Sequence, residues 1–238
     1  SFFGMRALLV YYMTKHLDMG QEYSSLVYGA YAAFVYFTPV FGGVVADRWL
    51  GKRNAVMIGG ATMALGHFMM AAEPLFYPAL ITIALGNGLF LPSLASQIEG
   101  LYRDGDPRSK SAYNIYYVGV NLGAFLAPLV CGTLGETYGW HWGFAAAGFG
   151  MLLSLVIYLA GARYLPPEPA RGVAAQAARP PLDRAARDRF ALLIGIAAIV
   201  VVFRGAYEQV GNTIALWADS GVDREVAAGW TIPMTWFQ

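Results

Sequence analysis

The sequence predicts an all-α polytopic membrane protein: a six-helix bundle, a linker, and the start of a second bundle. Three observations carry that prediction. Apolar residues make up 57% of the 238 and charged residues only 13%, whereas a water-soluble domain carries roughly 25% charged residues. Mean hydropathy is +0.47, and the apolar residues gather into blocks near the length of about 20 that a membrane-spanning helix needs. Lys and Arg, finally, concentrate in alternate breaks between those blocks.

The first block runs from SFFGMRALLVYYM to about Leu17. It begins without an initiator Met or a charged leader, so it is expected to be the later part of a span rather than a signal peptide. Further blocks cover residues 23–46, 55–72, 76–101, 111–134 and 142–162, giving six. Pro39, Pro92 and Pro128 lie inside them, where each removes a backbone hydrogen bond and bends its helix. A break follows, RYLPPEPARGVAAQAARPPLDRAARDR, rich in Ala, Pro and Arg and poor in large apolar residues. It predicts a flexible linker over residues 164–189 between a bundle at 1–163 and a second part at 190–238. The seventh block covers residues 190–218, and the closing AAGWTIPMTWFQ predicts the opening of an eighth helix.

Basic residues mark the cytoplasmic side of short membrane loops. Arg48, Lys52 and Arg53 lie between blocks two and three, and Arg103, Arg108 and Lys110 between four and five. Arg163, Arg171, Arg179, Arg184, Arg187 and Arg189 lie in the long break, so one side holds twelve of the sixteen Lys and Arg residues. The opposite loops hold only Lys15 and Arg224. Block one is therefore expected to start in the cytoplasm and the linker to be cytoplasmic. A net charge of +1 gives no general basic field for nucleic acid.

Covalent and metal chemistry find no support. Cys131 is the single cysteine and can form no intrachain disulfide. His16, His67 and His141 show no HExxH or other close ligand spacing, and a mid-helix His67 is expected to be a hydrogen-bonded packing residue. There is no GxSxG elbow. No enzyme, metal or cofactor is predicted.

The informative residues are polar groups inside the oily blocks, because an ionised side chain near the bilayer centre costs about 2.5–3.5 kcal/mol by insertion scales. Arg204 and Glu208 stand four apart in FRGAYEQVGNTIALW, on one helical face, where they could screen each other or line a wet cavity. Burial favours the neutral form of a carboxyl and a nearby cation the ionised form, so Glu208 is the residue expected to exchange a proton. Arg6 lies between FFG and ALLV in block one, placed either to snorkel or to enter the same cavity. In block five Tyr113, Tyr117 and Asn121 recur every four residues as one polar stripe. Gly119 and Gly123, with Gly42, Gly43, Gly86 and Gly88 elsewhere, are expected to admit neighbouring helices closely.

These stretches together resemble the proton-dependent oligopeptide transporter (POT) branch of the major facilitator superfamily. GGVVADRWLGKR looks like that superfamily's loop between helices two and three, with Asp47, Arg48, Gly51, Lys52 and Arg53 in the expected roles and two residues between Arg48 and Gly51, a departure from the general pattern in the manner of the oligopeptide branch. SFFGMRALLVYY resembles the tail of the first-helix signature, VYFTPVFGGVVAD the second helix, YYVGVNLGAFLAPLVCG the fifth and AYEQVGNTIALWAD the seventh. The resemblance runs the length of the chain in order. It implies a major facilitator fold, present here as a fragment: the six-helix amino-terminal bundle and the start of the carboxyl-terminal one. It further implies a non-enzymatic carrier of di- and tripeptides, driven by protons as coupling ion, in the inner membrane of a bacterium. By the same resemblance Arg6 engages a peptide carboxylate, and Tyr36, Tyr117 and Asn121 its backbone and terminus. Glu208 serves peptide binding and proton coupling.

Three departures from the pattern stand out. Leu91 occupies the place of a lysine common in relatives, Phe2 and Phe3 replace usual tyrosines, and Arg204 replaces a common aromatic. Arg204 is thus expected to join the binding site, supplying from helix seven the charge absent at Leu91. A carrier of an amino acid, nitrate or another small polar solute, and a non-transporting membrane module, are the alternatives.

Overall fold

The computed structural model describes residues 2–102, 106–165, 167–168, 184–227 and 230–237. Arg103, Arg171 and Arg179, and with them most of the predicted linker, lie outside the described residues.

Helix α1 (Phe2–Tyr11) continues through a π-helical turn at Tyr12–His16. Helix α2 (Gln21–Val45) ends in a second such turn at Ala46–Leu50, and α3 (Lys52–Met69) follows directly. Gly51 makes that reversal with φ 80°, a left-handed conformation open to glycine at no steric cost. Helices α4 (Phe76–Glu99) and α5 (Arg108–Ala127) come next; a turn at Pro128–Gly132 and the short α6 (Thr133–Tyr138) complete the fifth span. Helix α7 (Trp140–Gly161) is the sixth. The seventh is split into α8 (Arg184–Tyr207), a 3-10 turn at Glu208–Gly211 and α9 (Thr213–Gly221).

Among the described residues five helical segments are long and apolar enough to cross a membrane: 21–50, 73–98, 108–138, 140–164 and 186–221. The two other predicted spans are α1 and the glycine-rich, interior α3. Helix α3 packs on α4 and on α7, and α2 also packs on α4. Small residues set those distances: a Cβ on Gly59 would stand 2.7 Å from the carbonyl oxygen of Gly86, and one on Gly86 the same distance from that of Gly59. In lipid, where apolar tails compete equally for apolar side chains, such close backbone approach is what holds helices together. A Cβ on Gly119 or Gly123 finds nothing within 4 Å, so the neighbour expected on that face of α5 is not among the described residues.

The core joins Met5, Leu8, Leu9, Tyr12 and Met13 of α1 and its extension to Ile83 and Ala84 of α4 and Phe144 of α7. His67 is fully buried, as a packing residue should be. Neither of its ring nitrogens has a hydrogen-bond partner among the described residues, contrary to expectation.

Two boundaries differ from those predicted. The seventh helix is already formed at Arg184, inside the predicted linker. The segment expected to open an eighth helix instead pairs β1 (Glu225–Ala227) with β2 (Trp230–Thr231) before a single 3-10 turn at Met234–Phe237. Pro233 explains that late start, because proline is favoured just at the beginning of a helix and disfavoured farther in.

Candidate functional site

The break in the seventh span is the centre of the site. Glu208, 9% exposed, opens the 3-10 turn that interrupts the helix. Its Oε2 accepts from Arg6 Nη1 at 3.0 Å and from the Tyr28 hydroxyl at 3.4 Å. Its Oε1 accepts from the Tyr36 hydroxyl at 2.7 Å. Three helices thus converge on one carboxylate: α1 supplies the cation, α2 the two phenols, and the seventh span the acid. Tyr28 and Tyr36 are eight apart, near two helical turns, and so share a face of α2. Gly211 makes room for this arrangement, since a Cβ there would collide with the Tyr28 ring.

Arg6 is largely shielded, its side chain 14% exposed, and lies 5.3 Å from the centre of the Phe3 ring. It neither snorkels nor stands alone; the ion pair with Glu208 removes the cost of an isolated charge in a spanning segment. Arg204 and Glu208, expected to be able to screen each other within one helix, form no ion pair. The Arg204 guanidinium instead lies 5.5 Å from the centres of both the Tyr36 and Tyr207 rings. The shielded guanidinium of Arg6, on another helix, meets the carboxylate, while Arg204 is held over the two aromatic rings.

Tyr117 and Asn121 are not brought to this cluster. Tyr117 is 67% exposed, and Asn121 Nδ2 donates to the Tyr117 carbonyl at 2.7 Å within its own helix. Leu91 is exposed as well.

More contacts extend the junction toward the end of the bundle opposite the arginine-rich loops. Ser25 Oγ donates to Asn212 Oδ1 at 3.1 Å, the Tyr11 hydroxyl to the Ala215 carbonyl at 2.8 Å, and Lys15 pairs with Asp219 at 2.5 Å. Glu136, not singled out by sequence, accepts from the backbone N–H groups of Met234 and Thr235 at 2.8 and 3.0 Å and from the Thr235 hydroxyl at 3.0 Å. A carboxylate on the first N–H groups of a helical turn is a favourable cap.

The loop motif between the second and third spans is separate. Arg53 donates from its backbone N–H to Glu168 Oε1 at 2.5 Å and from Nη2 to the Leu165 carbonyl at 2.6 Å, tying the start of α3 to the segment after α7. Lys52 and Arg53, with Gln97 and Glu168, line a cavity of about 160 Å³. Asp47 and Arg48 are exposed. No group of His, Cys, Asp and Glu among the described residues could hold a metal ion.

The model of the POT family matches residues 53–179, more than half of the chain. A peptide transporter, YePEPT, of Yersinia enterocolitica is 39% identical over 168 residues, covering 66% of this chain and 33% of that protein. A di-/tripeptide transporter of Lactococcus lactis is 34% identical over 212 residues, covering 85% of this chain and 42% of that protein. The chain therefore spans about a third to two fifths of these relatives, which are transporters and not enzymes. Among solved structures, a peptide transporter POT in complex with sulfate superposes with a TM-score of 0.80 at 26% identity, over 99% of this chain and 61% of that one. A mutant of a peptide transporter POT in complex with alafosfalin gives 0.78 at 26% identity, over 99% and 60%. The chain, with its membrane-spanning helices in the expected order, belongs to the POT family.

Proposed function

We propose that the full-length protein containing this chain is a proton-coupled symporter of di- and tripeptides, working by alternating access in a bacterial inner membrane. The observation that carries this reading is the Arg6–Glu208 pair, shielded from solvent and bridging the first and seventh spans, in a member of a family whose named relatives carry peptides.

The chemistry follows from the pair. Ionised Glu208 holds Arg6 and two phenols, and so fastens the seventh span to α1 and α2. A proton delivered to Glu208 removes the charge that holds the guanidinium, frees Arg6 for a peptide carboxylate, and loosens that junction. Binding, protonation and opening are thereby linked through one carboxyl. Tyr36 follows Glu208, while Tyr117 and Asn121 take the peptide backbone and terminus once the helices rock together.

The test is uptake of a labelled dipeptide into proteoliposomes holding the full-length carrier, with and without an inward proton gradient. Gradient-driven accumulation is expected, and Glu208→Gln should abolish it while leaving exchange of peptide across the membrane measurable. Uptake indifferent to the gradient, or accumulation undiminished in Glu208→Gln, would overturn the coupling role. Accumulation of an amino acid or nitrate in place of dipeptide would reassign the substrate.

A further inference from the structure

The charges at the site are unevenly spent. Glu208 uses both carboxylate oxygens, one on Arg6 and Tyr28 and the other on Tyr36. Arg204 sits beside them, on the same helix one turn earlier, with its guanidinium over the Tyr36 and Tyr207 rings at 5.5 Å each. Among the described residues it has no hydrogen bond and no carboxylate partner. Stacking on aromatic faces fixes the plane of a guanidinium while leaving its edge N–H donors available. Tyr36 links the two cations: its ring underlies Arg204 and its hydroxyl binds the acid that holds Arg6. The result is a pre-oriented, unneutralised cation facing the first bundle within a spanning segment, where a charge without an anion is costly.

We propose that Arg204 is a specificity-determining residue that receives the carboxylate of the substrate by a bidentate contact while Arg6 is still bound to Glu208. This rests on the peptide-carrier reading above and deepens it by dividing the labour between the two arginines. Arg6 takes the carboxylate only once Glu208 is protonated; Arg204, with no acid on it among the described residues, meets it before that. Such a contact depends on the planar fork of the guanidinium, which lysine lacks.

The experiment is equilibrium binding by calorimetry to the purified full-length carrier, comparing dialanine with its carboxyl-terminal amide. Wild type should favour the free acid by about tenfold or more, the scale of a hydrogen-bonded charge contact. Arg204→Gln should lose that preference by weakening the acid alone, with amide binding unchanged as internal proof of an intact site. Arg204→Lys should recover only part of it. A preference kept intact in Arg204→Gln, or an equal loss for acid and amide, overturns the role of Arg204 and leaves the carrier reading standing. A wild-type carrier that binds neither ligand overturns the peptide reading itself, and this inference with it.

Discussion

The two parts of the seventh span behave as different materials. From Phe190 to Phe203 it is built largely of Leu, Ile, Val and Phe, and every residue there is exposed among the described residues. From Glu208 to Gly221 the large aliphatics thin out, yet this is the part that engages the first bundle: Glu208 is shielded, Ala215 and Ala218 are fully buried, and Asn212 and Asp219 each find a partner across the junction. In a bilayer, lipid tails serve apolar side chains as well as protein does, so small residues and polar bonds decide where helices meet.

That contrast can be broken by substitution, and the effects should fall in a definite order. Glu208→Ala should be the most damaging, because it leaves the Arg6 guanidinium and two phenols unpaired in a nearly closed site; loss of one partner of a buried ion pair costs about 3–5 kcal/mol. Thermal unfolding of the detergent-solubilised carrier measures it. Glu136→Ala should come next, at about 1–3 kcal/mol for polar groups left unsatisfied. Its sharper signature is access: a cysteine placed at fully buried Ala215, in a Cys131→Ala background, should react faster with a water-soluble maleimide once Glu136 is removed. Lys15→Met should be the mildest. Its side chain is 47% exposed, and a pair at the rim contributes about 0–1 kcal/mol, less at high salt.

Much of this architecture was legible in the sequence, for a definite reason. Hydropathy located the spans, because that signal is local in the chain. Arg6, Tyr36 and Glu208 could be singled out because a polar group in an oily block demands an explanation. Their pairing could not: spacing shows that Arg204 and Glu208 share a face, but not that a cation 202 residues away fits the carboxylate better. Tyr28 was hidden among fifteen tyrosines, and only its distance of eight from Tyr36 could have suggested it. Glu136 lies at the end of a span in GETYG, where an acid needs no special reason, and its value comes from backbone N–H groups that no side-chain pattern reveals. The β-pairing at Glu225–Ala227 and Trp230–Thr231 was missed because WTIP reads as apolar, while Pro233 postpones the helix.

The central claim is that Arg6 and Glu208 act on each other directly, and a double-mutant cycle addresses it most simply. Arg6→Ala, Glu208→Ala and the double variant of the full-length carrier would be compared for unfolding free energy. The expected coupling is about 1–3 kcal/mol, with the double variant much less destabilised than the two single losses combined. Losses that add to within about 0.5 kcal/mol would mean that the two residues do not share a site, and would contradict the account.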